Sequence, residues 1–149
     1  MQSPFDYMKM PLQRYADFSG RSRRMEYWMF FVGIIGASIV ASIVDTVLGM
    51  NTMIFGIYGP LSIIVTLGTI IPSLACGVRR LHDQNRSGWL MLLPIVPYAL
   101  GGALMASGNL AMGGPILLVG AVCALVLLVF MFLEGTSGDN KYGPDPKAG

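Results

Sequence analysis

Residues 115–133 read PILLVGAVCALVLLVFMFL, a run that holds no charged side chain. A transmembrane α-helix needs about 20 consecutive, mostly apolar residues, so this run alone is long enough to cross a bilayer. It is the second half of a longer apolar block, 89–133, and a first block covers 27–78. Because each block is about twice the length of one crossing, we predict two crossings in each.

The composition agrees with a chain that lies mostly inside a membrane. Of its 149 residues, 54% are hydrophobic and 12% are charged, whereas a soluble domain carries about 25% charged residues. An ordinary soluble fold is excluded, because so few charges could not cover its surface. We predict an all-α membrane protein with four transmembrane helices, in a domain over 25–133. The predicted spans are 25–48, 53–78, 89–107 and 115–133.

The ten Lys and Arg residues occupy three polar segments that flank the two apolar blocks, 1–24, 79–88 and 134–149. The turns near 49–53 and 108–114 contain none. Cytoplasmic loops carry an excess of basic residues. We therefore predict that both termini are cytoplasmic. For the N-terminal segment two readings stay open, an amphipathic stretch at the level of the lipid headgroups and an unstructured tail.

One acidic residue, Asp45, lies inside an apolar span, close to its outer end. Ionisable residues inside a membrane are costly and usually face the interior of a helix bundle. Asp45 must be protonated, hydrated, or hydrogen-bonded to a residue such as Asn51, Thr52 or Tyr58. We expect hydration, and the alternative is a proton or cation site.

The second predicted span carries small polar residues at helical spacing, so that they share one face. Such residues usually mark close helix–helix packing. A hydrated conduction path is the alternative, and together with Asp45 it would suit a small oligomeric transporter or channel. The members of this stripe are Ser62, Thr66, Thr69 and Ser73.

The polar segments contain the side chains that are best able to bind a ligand or take part in a reaction. Arginines near the headgroups bind phosphate through paired donors, although basic residues that only set orientation give the same pattern. Arg79 and Asp83 are four residues apart, which predicts an ion pair if the helix continues through them. The candidate ligand-binding residues are Arg23, Glu26, Arg79, Arg80, His82, Asp83, Arg86, Asn140 and Tyr142.

No catalytic residue, metal site or cofactor is predicted. His82 is the only histidine, and zinc usually takes three or four protein ligands. The common hydrolase, phosphate-loop and dinucleotide signatures are missing. We interpret His82 as a hydrogen-bonded structural residue, with proton transfer as the alternative, and this leaves a lipid-modifying enzyme as a weaker hypothesis.

Three motifs together are similar to those of one family. They are FSGRSRRMEYW at 18–28, RRLHD with SGW at 79–83 and 87–89, and the tail from Gly135 to Pro146. The chain resembles the bacterial inner-membrane domain of unknown function 805 family, and the likeness covers essentially its whole length. This resemblance implies a multi-pass protein of the inner membrane and no established reaction.

The leading hypothesis is a non-enzymatic protein of the cell envelope that binds or scaffolds through its cytoplasmic face. Its ligand would be an anionic lipid headgroup, a small phosphorylated molecule or a partner protein. Expected partners are the lipid bilayer, another membrane protein or further copies of the chain, and no nucleic acid.

Overall fold

The computed structural model describes residues 3–50 and 58–147. This part of the chain is mainly helical, and its tail contains an isolated bridge between Asn140 and Gly143. The helices are α1 (Pro4–Gln13), α2 (Arg24–Val47), α3 (Pro60–Asp83), α4 (Leu92–Ala106), which follows a 3₁₀ turn (Gly88–Met91), and α5 (Leu110–Phe132). Each of α2, α3, α4 with its 3₁₀ turn, and α5 is long and apolar enough to cross a membrane. The predicted all-α membrane fold with four spans is confirmed.

The chain divides into two compact units. Unit 1 comprises the described parts of Met1–Phe18 and Met25–Cys76, and unit 2 comprises Ser19–Arg24 and the described part of Gly77–Gly149. Helix α3 therefore gives its first part to unit 1 and its last turns to unit 2.

Polar side chains cap several helix starts, where the first backbone N–H groups have no partner within the helix. Ser3 and Asp6 form a reciprocal capping box at α1, so residues 4–13 are a helix rather than an unstructured tail. Asn109 accepts from the N–H of Met112 at α5. Ser87 accepts from the N–H of Trp89 at the 3₁₀ turn.

Helices α2, α3 and α4 end with the same hydrogen-bond pattern. In each, one residue adopts a left-handed conformation, namely Gly49, Asn85 and Gly108. The next N–H bonds a carbonyl five residues back, as from Arg86 to Leu81. Glycine and asparagine adopt this conformation most readily, which is why they stop helices in this way.

Two helix boundaries differ from those expected. Helix α3 begins at Pro60, and the expected start at 53 lies outside the described residues. Pro60 therefore occupies the first helical position, where its missing N–H costs nothing. The helix also continues through Asp83, so half of the polar segment 79–88, residues 79–83, forms its last turn and a half. Helix α5 begins at Leu110 instead of 115, because Asn109 caps it there.

Close contacts at small residues mark the packing inside each unit. In unit 2, a side chain at Gly101 would meet Leu117, and one at Gly113 would meet Met105, so α4 and α5 approach closely at these glycines. In unit 1, the hydroxyl of Tyr15 donates to the carbonyl of Gly68 at 2.9 Å.

Candidate functional site

The polar segments of unit 2 lie together around the ends of α3 and α5. We call residues 19–24, 79–88 and 133–147 the polar cap. Its core consists of charged residues that, taken whole, have almost no exposure: Arg79 and Arg80 at 0%, Asp83 at 2% and Arg21 at 6%. Such groups are costly to bury unless they are paired and hydrogen-bonded, so the partners of each decide what the cap does.

The first set of partners is the C-terminal end of α5. The last carbonyls of a helix accept no hydrogen bond from within it. At this end of α5, side chains of the cap donate to four consecutive carbonyls. Gln84 donates to Phe130, Arg80 donates to Met131 and Leu133, and Arg24 donates to Phe132. The arginines also place positive charge where the helix dipole favours it.

The C-terminal end of α3 is satisfied in the same way by the tail. The backbone N–H of Thr136 donates to the carbonyl of Asp83 at 2.8 Å, and its hydroxyl donates to the same oxygen at 3.0 Å. The side-chain amide of Asn140 donates to the carbonyl of His82 at 3.0 Å. The tail is therefore fixed by its hydrogen bonds to the last carbonyls of α3, which are far from it in the sequence.

The Asp83 carboxylate is the centre of the charge network. One oxygen accepts from Nη1 of Arg80 at 2.6 Å, and the other accepts from Nε of Arg21 at 3.0 Å. The remaining donors of Arg21 go to the tail, with 2.6 Å to the carbonyls of both Thr136 and Gly138. The donors of Arg21 and Arg80 are thus directed at internal acceptors rather than at an open pocket.

The ion pair expected between Arg79 and Asp83 is replaced by a pair one residue later, from Arg80. Nε of Arg79 donates to the hydroxyl of Ser22 at 2.9 Å, while the N–H of Ser22 donates to the carbonyl of Arg79 at 3.1 Å.

His82 forms an aromatic stack with the tail. Its ring lies 3.8 Å from the ring of Tyr142 with an angle of 5° between the planes, and the ammonium of Lys141 lies 4.9 Å from the Tyr142 centroid. Nδ1 of His82 is 3.2 Å from the carbonyl of Gly20. This agrees with the structural interpretation of His82.

The remaining candidates of this group are placed as follows. Nε of Arg23 donates to the carbonyl of Pro146. The guanidinium of Arg86 lies over the Phe130 ring, 4.0 Å from its centroid. Glu26 is buried, but it belongs to unit 1.

Asp145 stabilises the turn of the tail. The backbone N–H groups of Lys147 and Gly138 donate to its carboxylate at 2.8 and 2.9 Å, and these bonds hold the pKa of Asp145 below its usual value. Hydrogen bonds to the charged form favour that form.

The sequence reasoning missed several residues that build the cap. Arg21, Ser22, Gln84 and Thr136 supply many of its contacts, yet no spacing rule connects them. The one available signal was that Arg21 and Ser22 lie in the 18–28 motif, and Thr136 in the tail motif.

Asp45, in unit 1, has a role that we did not expect. It has 0% exposure and accepts from the N–H groups of Leu61 and Ser62, at 3.2 and 2.8 Å, and from the Ser62 hydroxyl at 2.8 Å. These groups form the first turn of α3, so Asp45 caps α3 from α2. The expectation of a hydrated carboxylate is wrong. Of its proposed partners, Asn51 and Thr52 lie outside the described residues.

The polar stripe of α3 is largely occupied by bonds within its own helix. The hydroxyl of Thr66 donates to the carbonyl of Ser62, and that of Thr69 donates to Val65, at 2.8 and 2.7 Å. Such back-bonding to the preceding turn is common for Ser and Thr in helices. Ser73 is half-buried on the same helix. A transport role for these residues stays a prediction.

Metal chemistry finds no support in residues 3–50 and 58–147, which contain no group of three His, Cys, Asp or Glu side chains able to hold an ion. The chemical effect of the cap is to hold the guanidinium groups of its arginines and several main-chain carbonyls in a fixed arrangement.

Comparisons with known proteins agree with this architecture. A family model described as "Protein of unknown function (DUF805)" matches residues 15–144. The chain is 40% identical to inner membrane protein YhaI of Escherichia coli K12, over 93% of this chain and 92% of that protein. It is 34% identical to inner membrane protein YhaH of the same organism, over 95% of each chain. No solved structure matches. The matched region includes nearly all of the polar cap and all four spans, and the chain therefore belongs to the DUF805 family of membrane proteins.

Proposed function

We propose that the protein is a non-enzymatic binding or scaffold protein of the inner membrane, and that its polar cap faces the cytoplasm and presents a preformed surface to an anionic group. That group would belong to a lipid headgroup, a small phosphorylated ligand or an acidic partner protein. The observation that carries the proposal is that the tail is held in place. Arg21 donates to the Asp83 carboxylate and to the carbonyls of Thr136 and Gly138, and so connects the tail to the end of α3.

Fixing the tail has an energetic consequence for binding. Ordering the backbone costs about 1–2 kcal/mol per residue. Because the network around Asp83 orders the tail inside the protein itself, a ligand of its surface does not have to supply that energy, and preorganised surfaces bind more tightly for this reason.

Lys141 is the residue that we expect to contact the ligand. It is exposed, and its ammonium is held near Tyr142, which stacks on His82 at the end of α3. The arginines at the core of the cap hold its shape instead, because their donors already bind Asp83 and main-chain carbonyls. This divides the candidate residues into a contact group and a group that holds the shape.

The cytoplasmic placement rests on the distribution of charge. Arg79, Arg80 and Arg86 lie between spans in chain order, whereas the turns near 49–53 and 108–114 carry no Lys or Arg. Basic residues close to the ends of spans remain on the cytoplasmic side.

A photoreactive amino acid placed at Lys141 in living cells tests the proposal. We expect one discrete adduct, and mass spectrometry of the adduct distinguishes lipid, small molecule and protein. The same amino acid at Met112, which is also exposed, is the positional control. Arg21→Gln should weaken the adduct at 141 because it releases the tail. Equal adducts at both positions, or an adduct that ignores Arg21→Gln, would contradict the proposal.

A further inference from the structure

An open apolar groove of about 460 Å³ lies along α4 in unit 2. Its lining includes Trp89 from the 3₁₀ turn, Val96 and Pro97 from α4, and Cys123 from α5. Ser87, just before the 3₁₀ turn, is the first lining residue in the chain. Trp89 is 79% exposed. Tryptophan is enriched where the membrane meets water, so this end of the groove has the character of the interface.

The length of the groove suits one acyl chain. From Ser87 to Pro97 the helical rise amounts to roughly 15 Å. The hydrocarbon core of a bilayer is about 30 Å thick, so half of it, the depth of one leaflet, is about the same length.

A cation stands at the interfacial end. Arg86 directly precedes Ser87, and its guanidinium lies 4.0 Å from the Phe130 centroid. Phe130 follows Cys123 by close to two helical turns, so both lie on one face of α5, roughly 10 Å apart along its axis. The arginine therefore lies above the groove on the side of α5 that lines it.

The donors of Arg86 are available to a ligand. Within the described part of the chain, its side chain contacts the Phe130 ring and pairs with no carboxylate. A guanidinium over an aromatic ring keeps its N–H groups directed outward in the plane of the group, and their geometry matches two oxygens of a phosphate.

We infer that this groove is a binding site for an anionic phospholipid, with the phosphate at Arg86 and one acyl chain along α4 towards Cys123. The combination of an apolar slot and an uncompensated arginine at its interfacial end favours a lipid with net negative charge over a zwitterionic one. The site deepens the function proposed above, because Arg86 belongs to the polar cap, but it uses Arg86 and the groove and does not depend on the ligand contact proposed for Lys141.

Native mass spectrometry of the purified full chain tests this inference, with phosphatidylglycerol and phosphatidylcholine added in equal amounts. We expect the wild type to retain phosphatidylglycerol preferentially, and Arg86→Gln to weaken its retention about tenfold, since a charge-assisted hydrogen bond is lost. Lys147→Gln removes one exposed charge elsewhere in the cap and should leave retention unchanged.

A second pair of variants tests the acyl slot. Val96→Phe narrows the groove and should reduce retention, whereas Val119→Phe makes the same change at an exposed position of α5 outside the groove lining. Arg86→Lys, which keeps the charge, checks that loss of binding is not loss of folding. Equal retention of the two lipids, equal effects of Arg86→Gln and Lys147→Gln, or equal effects of Val96→Phe and Val119→Phe would each overturn the assignment.

Discussion

Nε of Arg21 lies 3.0 Å from a carboxylate oxygen of Asp83, and the two side chains are exposed by only 1% and 3%. They are 62 residues apart in the chain. The pair joins the segment before the first span to the end of α3, and the other donors of Arg21 extend the connection to the tail. The stability of the polar cap should therefore depend on this carboxylate more than on any exposed charge.

Asp83→Ala should lower the free energy of unfolding by about 3–5 kcal/mol, because it leaves Arg21 and Arg80 buried without their counter-charge. Unfolding in mixed micelles with increasing SDS measures the change. Glu134→Ala is the matched control, because it breaks exposed pairs with Arg24 and Lys147 that are worth about 0–1 kcal/mol each. Similar losses for the two variants would contradict the assignment of Asp83 as the centre of the network.

Asp45→Ala should also destabilise the protein, because it removes the acceptor for two N–H groups in the first turn of α3 and for the Ser62 hydroxyl. The same SDS titration applies. Thr46→Val, at the next position, removes an exposed hydroxyl that bonds its own helix, and its effect should be several times smaller. Hydration of Asp45, the expectation now rejected, would instead predict little difference between the two.

Gly135→Ala should disturb the cap, because a Cβ there would overlap the Asp83 carboxylate. We expect a loss of about 1–3 kcal/mol, the usual range for overpacking. Gly102→Ala, in α4, adds the same methyl group where no atom lies within 4 Å. It should leave the unfolding transition unchanged or slightly raised, and a loss as large as that of Gly135→Ala would argue against the close approach of the tail to Asp83.

Acid should loosen the turn of the tail through Asp145. Its pKa in the folded protein is below its ordinary value near 3.8, so its stabilising contribution is complete above that value and disappears as the pH falls through the folded pKa. Nuclear magnetic resonance of the Gly138 and Lys147 amide signals should show a titration with a midpoint below 3.8. Asp145→Asn should abolish the titration, and a midpoint above the ordinary value would refute the effect.

The proposed orientation predicts how two serines, each replaced by cysteine, react in intact cells. In a background with Cys76→Ala and Cys123→Ala, Ser107→Cys should react with a thiol reagent that does not cross the inner membrane, and Ser137→Cys should react only after the membrane is opened. Both serines are exposed, so access to the side chain itself does not separate them. The reverse pattern would place the polar cap outside.

The spans could be predicted because they depend on local composition. A run such as 115–133 must be helical in lipid, where every backbone group has to be satisfied within the protein. The boundaries were harder, because they depend on single residues. Asn109 starts α5 before Pro115, and Asn85 stops α3 after Asp83.

The contacts inside the cap could not be predicted, since they join residues that are distant in the chain. Spacing within one helix favoured Arg79 as the partner of Asp83. Arg80 forms the pair instead, and Arg79 bonds Ser22, which belongs to a segment more than fifty residues earlier. Asp45 is a similar case, because its partners begin the next described helix and no rule on local spacing identifies them.

The position of the acceptors for Arg21 and Arg80 also sets an order of events during synthesis. Those acceptors include carbonyls of Met131, Leu133, Thr136 and Gly138, which lie at the end of the fourth span or beyond it and so leave the ribosome after the rest of the spans. Until then, the arginines must remain in contact with water, so the cap can close only after residues up to Gly138 have been synthesised. A chain interrupted before that point would leave the charged side chains of Arg21 and Arg80 without these acceptors.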